Sequence, residues 1–155
     1  MVALVSFVAC LSVAAVGYLL TASTDASVPE SWSMPAGAEV TSFEGLMQEG
    51  LAAYGSGDLV EAKAAFEAAL ALDPASDSAL FNVAIAAAGL GDTATAEASY
   101  RAIIARSPQE ASSYWNLGLL LYRNGDVTQG RDLLRTALAL DPALASRLPD
   151  DVDVE

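Results

Sequence analysis

Carboxylates are the only reactive side chains that this sequence carries in number. Twenty Asp and Glu stand against seven Lys and Arg, a formal charge of −13, with no histidine and one cysteine, Cys10. Acid–base catalysis by carboxylates needs an enclosed setting that moves one pKa towards the working pH. The neighbouring pair Asp150–Asp151 instead falls in the terminal run DDVDVE, which reads as solvated tail. No His/Cys cluster offers a metal site, and a weak calcium contact at that tail is the most the acids could provide. No Gly-rich phosphate loop is present. These residues describe a protein that is not an enzyme and holds neither cofactor nor metal. The acidic balance also excludes nucleic acid, which needs a basic patch to displace phosphate counterions, and docking on anionic headgroups. With one cysteine no intrachain disulfide can form, and the redox compartment stays open.

The charge is uneven. Residues 1–100 hold twelve acids and a single base, Lys63, whereas residues 101–149 hold six Arg and four acids. One end of the folded body is expected to be strongly negative and the other nearly neutral, an asymmetry that can orient a partner or simply keep the surface soluble.

The organising feature is a sentence written three times. GDLVEAKAAFEAALALDP begins at Gly57, and near-copies begin at Gly91 and Gly125, each 34 residues after the last. Helices are expected over Phe43–Tyr54, Asp77–Gly89 and Ala111–Asn124, each running into a Gly-Asp turn. At that turn Gly permits φ > 0 and Asp caps the next helix. Second helices are expected over 59–72, 93–106 and 127–140, closed by Pro74, Pro108 and Pro142. A size code recurs as well. Gly50, Ala84 and Gly118 are small where two helices must approach, and Ala62, Ala96 and Gly130 are small in the second helix. Phe66, Tyr100 and Leu134 are bulky four residues later, as close interhelical packing requires.

This order of Gly, Ala, bulky residue, Ala and Pro with a period of 34 resembles the tetratricopeptide repeat family. The resemblance covers residues 43–142 in three copies. Its departures are Tyr54 and Tyr122, one place later than the family's aromatic, Ala88 in the middle copy, and Gly130 for the usual Ala, which would loosen packing locally. It implies an all-α fold: a right-handed α-solenoid of three helix-turn-helix repeats, 43–76, 77–110 and 111–144, in a domain spanning 43–148. An acidic tail, 149–155, would follow. One hairpin cannot bury its apolar face alone, whereas stacked hairpins share a continuous core.

The resemblance also places a concave groove along the first helices. Its wall would be Met47, Leu51 and Tyr54, then Phe81, Ile85 and Ala88, then Trp115, Leu119 and Tyr122, each trio on one helix face by its i, i+4, i+7 spacing. The alternative is that these trios are inter-repeat core. Asn82 and Asn116, equivalent in register, could bond a ligand's backbone or a neighbouring helix end. Glu44, Ser78 and Ser112 stand where family members that clamp a chaperone tail carry cations, and Arg123 is the one basic groove residue, so that ligand is disfavoured. An apolar or aromatic peptide or helix fits better. Only about two turns of helix follow Pro142, so Leu133, Leu140 and Leu144 should be partly exposed unless another chain covers them.

The first residues are of another kind. Val2–Leu20 is 19 residues without a charge; as a helix it would extend about 28 Å, near the thickness of a bilayer's hydrocarbon. A transmembrane helix over 1–22 that contacts lipid through residues 2–20 is one reading; a cleaved signal, with cutting after Ala22 or Ala26, is the second. Lipid attachment at Cys10 is a third. A flexible linker, 23–42, follows, in which Trp32 and Met34 would rest on the domain's own surface or anchor the arm to a partner or membrane interface. The body would lie on the extracytoplasmic side, with little positive charge to set the orientation. Two functions fit: a membrane-anchored scaffold that binds a protein partner in assembly of a membrane or envelope complex, as family members do, or a single-span accessory subunit of a larger membrane complex. The Ala-rich, Lys-poor composition is of the kind met in high-GC bacteria.

Overall fold

The six expected helices form because each carries its own start and stop. A computed structural model describes residues 42–154, in which α1 (Phe43–Ser56), α2 (Leu59–Leu72), α3 (Asp77–Gly89), α4 (Thr93–Arg106), α5 (Ala111–Arg123) and α6 (Val127–Leu140) precede a closing 3-10 helix, Pro142–Arg147. The apolar run 2–20 and the arm carrying Trp32 and Met34 lie outside the described residues. Among the described residues no helix is long and apolar enough to cross a membrane.

Every helix is opened by an oxygen-bearing side chain that accepts a backbone N–H, satisfying donors that have no partner within the helix. Ser42 and Ser76 serve α1 and α3, and Asp58, Asp92 and Asp126 serve α2, α4 and α6. Glu110 takes both Ser112 N (3.0 Å) and Ser113 N (2.6 Å) at the start of α5. Gly57, Gly91 and Gly125 turn the chain with φ of 88°, 77° and 96°, the left-handed region that costs a glycine nothing. Among the described residues no other positive φ occurs.

The helices contact chiefly their neighbours in sequence, α1 with α2, α2 with α3, and onward to the 3-10 helix against α6. That pattern is a solenoid's. The core runs between hairpins as well as within them. Ala53, Ala62 and Phe66 of the first join Val83 and Ala86 of the second, and Ala84, Ala87, Ala96 and Tyr100 of the second join Leu117 and Leu121 of the third. Polar ties add to this within and between hairpins. Within the second, Arg106 Nη2 lies 2.6 Å from Asp77 Oδ1, an ion contact rather than an aligned hydrogen bond, and Ser107 Oγ donates to Asp77 Oδ2 at 2.9 Å. Arg101 reaches Gln129 Oε1 at 2.8 Å.

Gly130 was expected to loosen the third hairpin, and the geometry shows the reverse. A Cβ built there would lie 2.6 Å from Tyr122 N and 2.7 Å from Gly118 O, both backbone atoms. Losing the methyl lets α5 and α6 approach more closely than alanine would permit.

Two glycine-to-alanine changes test this. Gly55 has open space around its missing Cβ, so Gly55→Ala should stabilise by a few tenths up to about 1 kcal/mol through helix propensity. Gly130→Ala should destabilise by about 1–3 kcal/mol, because the backbone must separate. Urea unfolding of the full chain distinguishes the two signs.

Candidate functional site

The face formed by α1, α3 and α5 carries a hollow of about 410 Å³ lined by Tyr54, Ile85, Ala88, Gly89, Tyr100, Asn116, Leu119, Leu120, Arg123 and Asn124. Equivalent helices supply it because the 34-residue period brings the same helix face back in each repeat. A second hollow of about 270 Å³ lies nearer the helix starts, between Asp77, Ser78, Phe81, Asn82, Ile103, Glu110 and Ser112. Of the ten residues expected to bind a partner, Tyr54, Ile85, Asn116 and Leu119 thus share the first hollow, and Phe81 and Asn82 share the second.

The other four sit differently. Met47 is half-buried against the cores of the first hairpin, and Leu51 is 53% exposed on α1 beyond the hollow. Trp115 is not open wall: it is 5% exposed, inside a cluster with Leu134, Ala137, Leu144 and Val152. Tyr122 packs at the edge of that cluster, and its hydroxyl accepts the Asp153 N–H at 3.2 Å. Trp115 and Tyr122 are covered because the residues after Pro142 fold back over them, while Leu119 still reaches the hollow. Leu144 is therefore buried, and Leu133 and Leu140 are half-buried. In the acidic tail Asp150, Asp151 and Asp153 are exposed, but Val152 is 4% exposed and forms part of the core. The alternation of Val and Asp in DDVDVE was the available signal.

The hollow combines an apolar wall with a polar rim. Asn116 donates one amide N–H to Ser112 O at 2.8 Å, which leaves its second N–H and its carbonyl oxygen as the groups that a ligand could use. Asn82 makes no hydrogen bond to another described residue. Asn124 ties the rim to Thr93 Oγ1 at 3.2 Å. Arg123, at the same rim, has no carboxylate within ion-pair distance among the described residues. Tyr100 forms the floor, its ring edge-on to Phe81 with centroids 5.7 Å apart. Burial, and to a lesser degree the Tyr54 phenol, pushes the Tyr100 hydroxyl well above its usual range, so it stays neutral. Among the described residues no group of His, Cys, Asp or Glu is arranged to hold a metal ion.

Residues 47–111 and 84–145 match the model of the tetratricopeptide repeat family. The chain belongs to that family. The sequence has no match among curated proteins. Solved structures with the same repeat fold include the first TPR of Spaghetti (RPAP3) bound to an HSP90 peptide, at 20% identity and a TM-score of 0.62 over 66% of this chain and 81% of that one. The Yersinia enterocolitica type III secretion chaperone SycD, in complex with a peptide of the translocator YopD, is also 20% identical, with a TM-score of 0.62 over 67% and 82%. An O-GlcNAc transferase mutant from Thermobaculum terrenum is 30% identical over 64% of this chain, with a TM-score of 0.60. This chain spans only 19% of that protein. Tetratricopeptide repeat proteins mediate protein–protein interactions, and two of these relatives hold peptides.

Glu110 supplies a test of how the second hollow's edge is held. Partial burial pushes its carboxyl up, but the bonds from Ser113 and Ser112 outweigh this and hold it below its ordinary 4.5. A lowered folded value means that the cap's contribution is complete above the unfolded value and fades as pH falls through the folded one. Glu110→Gln should therefore cost about 1 kcal/mol near neutral pH and less in acid. Urea melts of both proteins should converge as pH falls through the lowered value of the folded carboxyl.

Proposed function

We propose that this protein is a non-catalytic scaffold that receives an apolar or aromatic segment of a partner protein in the hollow between α1, α3 and α5. The observation that supports the reading most directly is the combination of Tyr54, 45% exposed at the lip, with Ile85, Ala88 and Leu119 along the wall and Asn116, Arg123 and Asn124 as polar groups at the rim. Apolar walls with a few placed polar groups bind by excluding water and orient by the polar minority. A helix laid across the three parallel first helices, or an extended peptide with an aromatic residue, meets both requirements. With one cation at its rim, the hollow lacks the charge to hold a strongly anionic ligand.

The charge-free run 2–20 would tether this body to a membrane, with the repeats on the extracytoplasmic side and the partner a component of a membrane or envelope complex under assembly. A tether raises the local concentration of the scaffold near membrane-borne partners without any added contact.

The reading is tested by selecting peptides from a random display library on the full chain. Selected sequences should be rich in Phe, Trp, Leu and Ile. Tyr54→Ala should weaken their binding about tenfold, the loss of one aromatic contact, while leaving the melting temperature almost unchanged because Tyr54 is exposed. A library yielding acidic, aromatic-free binders, or binding indifferent to Tyr54 and to Arg123→Glu, would sink the proposal.

A further inference from the structure

The residues beyond Pro149 are held as a bound peptide is held. Val152 sinks into the cluster of Trp115, Leu134, Ala137 and Leu144, and Val154 packs at its margin. Between them Asp153 faces outward. Its N–H donates to Tyr122 Oη at 3.2 Å, its carbonyl accepts from Arg131 Nε at 3.0 Å, and its carboxylate lies 3.3 Å from Arg131 Nη2. Arg135 Nε donates to Val154 O at 2.8 Å, while its Nη1 lies 3.4 Å from Asp132. Three of these bonds go to main-chain atoms, and side-chain selection comes from two apolar seats and one anionic position. That is the pattern by which extended peptides are recognised, with backbone bonds for grip and alternate side chains for specificity.

We propose that this face of α5 and α6 is a second protein-binding site, distinct from the hollow, for an extended segment of the form aliphatic–Asp–aliphatic on another protein. Residues 150–154 keep it closed in the absence of that partner. The two guanidiniums favour an acidic segment. Val152 N–H closes a turn on Pro149 O at 3.0 Å, but the bonds to α5 and α6 are made by Asp153 and Val154 and need no covalent attachment. A second copy of this chain carries the same segment, but two chains each of charge −13 repel one another, which favours a different protein as its source.

The attached tail competes at an effective concentration on the order of millimolar, so the site should look weak until the tail is released. The probe is a fluorescein-labelled peptide, LPDDVDVE, titrated into full-length protein and followed by anisotropy. In V152D, whose tail no longer fits its seat, affinity should rise at least tenfold over the unmodified chain. Adding Arg131→Glu and Arg135→Glu should remove the gain. V152D that keeps its helical circular dichroism but binds no better than the unmodified chain overturns the proposal, as does a gain that survives the arginine changes. If V152D loses its helicity, the unmodified chain decides: excess unlabelled peptide should speed hydrogen exchange at the Asp153 amide, and unchanged exchange overturns the proposal. A concentration-dependent dimer of the unmodified chain that V152D abolishes would identify a second copy as the occupant and overturn the partner form.

Discussion

Each hairpin closes at a crossing where one helix carries nothing larger than a methyl and its partner carries a bulky side chain. Gly50 faces Phe66, and a Cβ there would lie 2.4 Å from the ring; Gly118 faces Leu134, with its own Cβ position 2.8 Å from Cγ. Ala84 and Tyr100, both fully buried in one cluster, occupy the equivalent places of the middle hairpin. Close-packed interiors tolerate little change in volume, so these pairs set how near the helices come and at what angle. The other features follow from that spacing. Once each hairpin has the same geometry, a 34-residue period repeats it in register, and the same faces of α1, α3 and α5 align to enclose a hollow.

Much of this could be read from the sequence because its causes are local. A turn glycine, a capping acid just before a helix start and a proline past its end each act within a few residues, and the helix bounds of α2, α3, α4 and α6 coincide with the expected ones. What escaped was decided between distant segments. Trp115 sits at a register position equivalent to Met47 and Phe81, and nothing in its own neighbourhood says that it will be covered; its cover comes from Val152, 37 residues on. Gly130 misled for a related reason: the methyl's absence is interpretable only with the Tyr122 backbone in view. Asn116 faces the hollow as expected, but one of its two amide N–H groups is already engaged within its own helix.

A stack of hairpins has two unlike ends. Each interior face is covered by the next hairpin, and an end face must be covered by something else or left wet. Here the last hairpin is closed by the 3-10 helix and the residues after it, with Leu144 and Val152 buried. On the first hairpin, Leu51 and Tyr54 stay open among the described residues. The face of the first helices therefore grades from exposed at α1 to self-covered at α5. A ligand in the hollow would find an exposed aromatic at α1, apolar wall from α3 and α5, and its polar partners, Asn116, Arg123 and Asn124, towards α5.

The magnitudes make the closure at the far end shallow. Burying Val152 contributes about 1.5–3 kcal/mol and half-burying Val154 about 1. The hydrogen bonds from Arg131, Arg135 and Asp153, partly exposed, contribute about 1 kcal/mol each. Against this, ordering the five residues 150–154 costs about 1–2 kcal/mol apiece in backbone entropy. The two sides nearly cancel. The hairpins have no such weakness, because Phe66, Tyr100 and Leu134 are each fully buried on helices whose ordering is shared with every neighbouring contact. Leu144 belongs with them, held by a 3-10 turn that Asp141 caps at 3.0 Å. The boundary between fixed scaffold and reversible cover thus falls near Pro149, where helical hydrogen bonding stops and the chain is held by two valines, two arginines, the Tyr122 hydroxyl and a turn from Val152 N to Pro149 O.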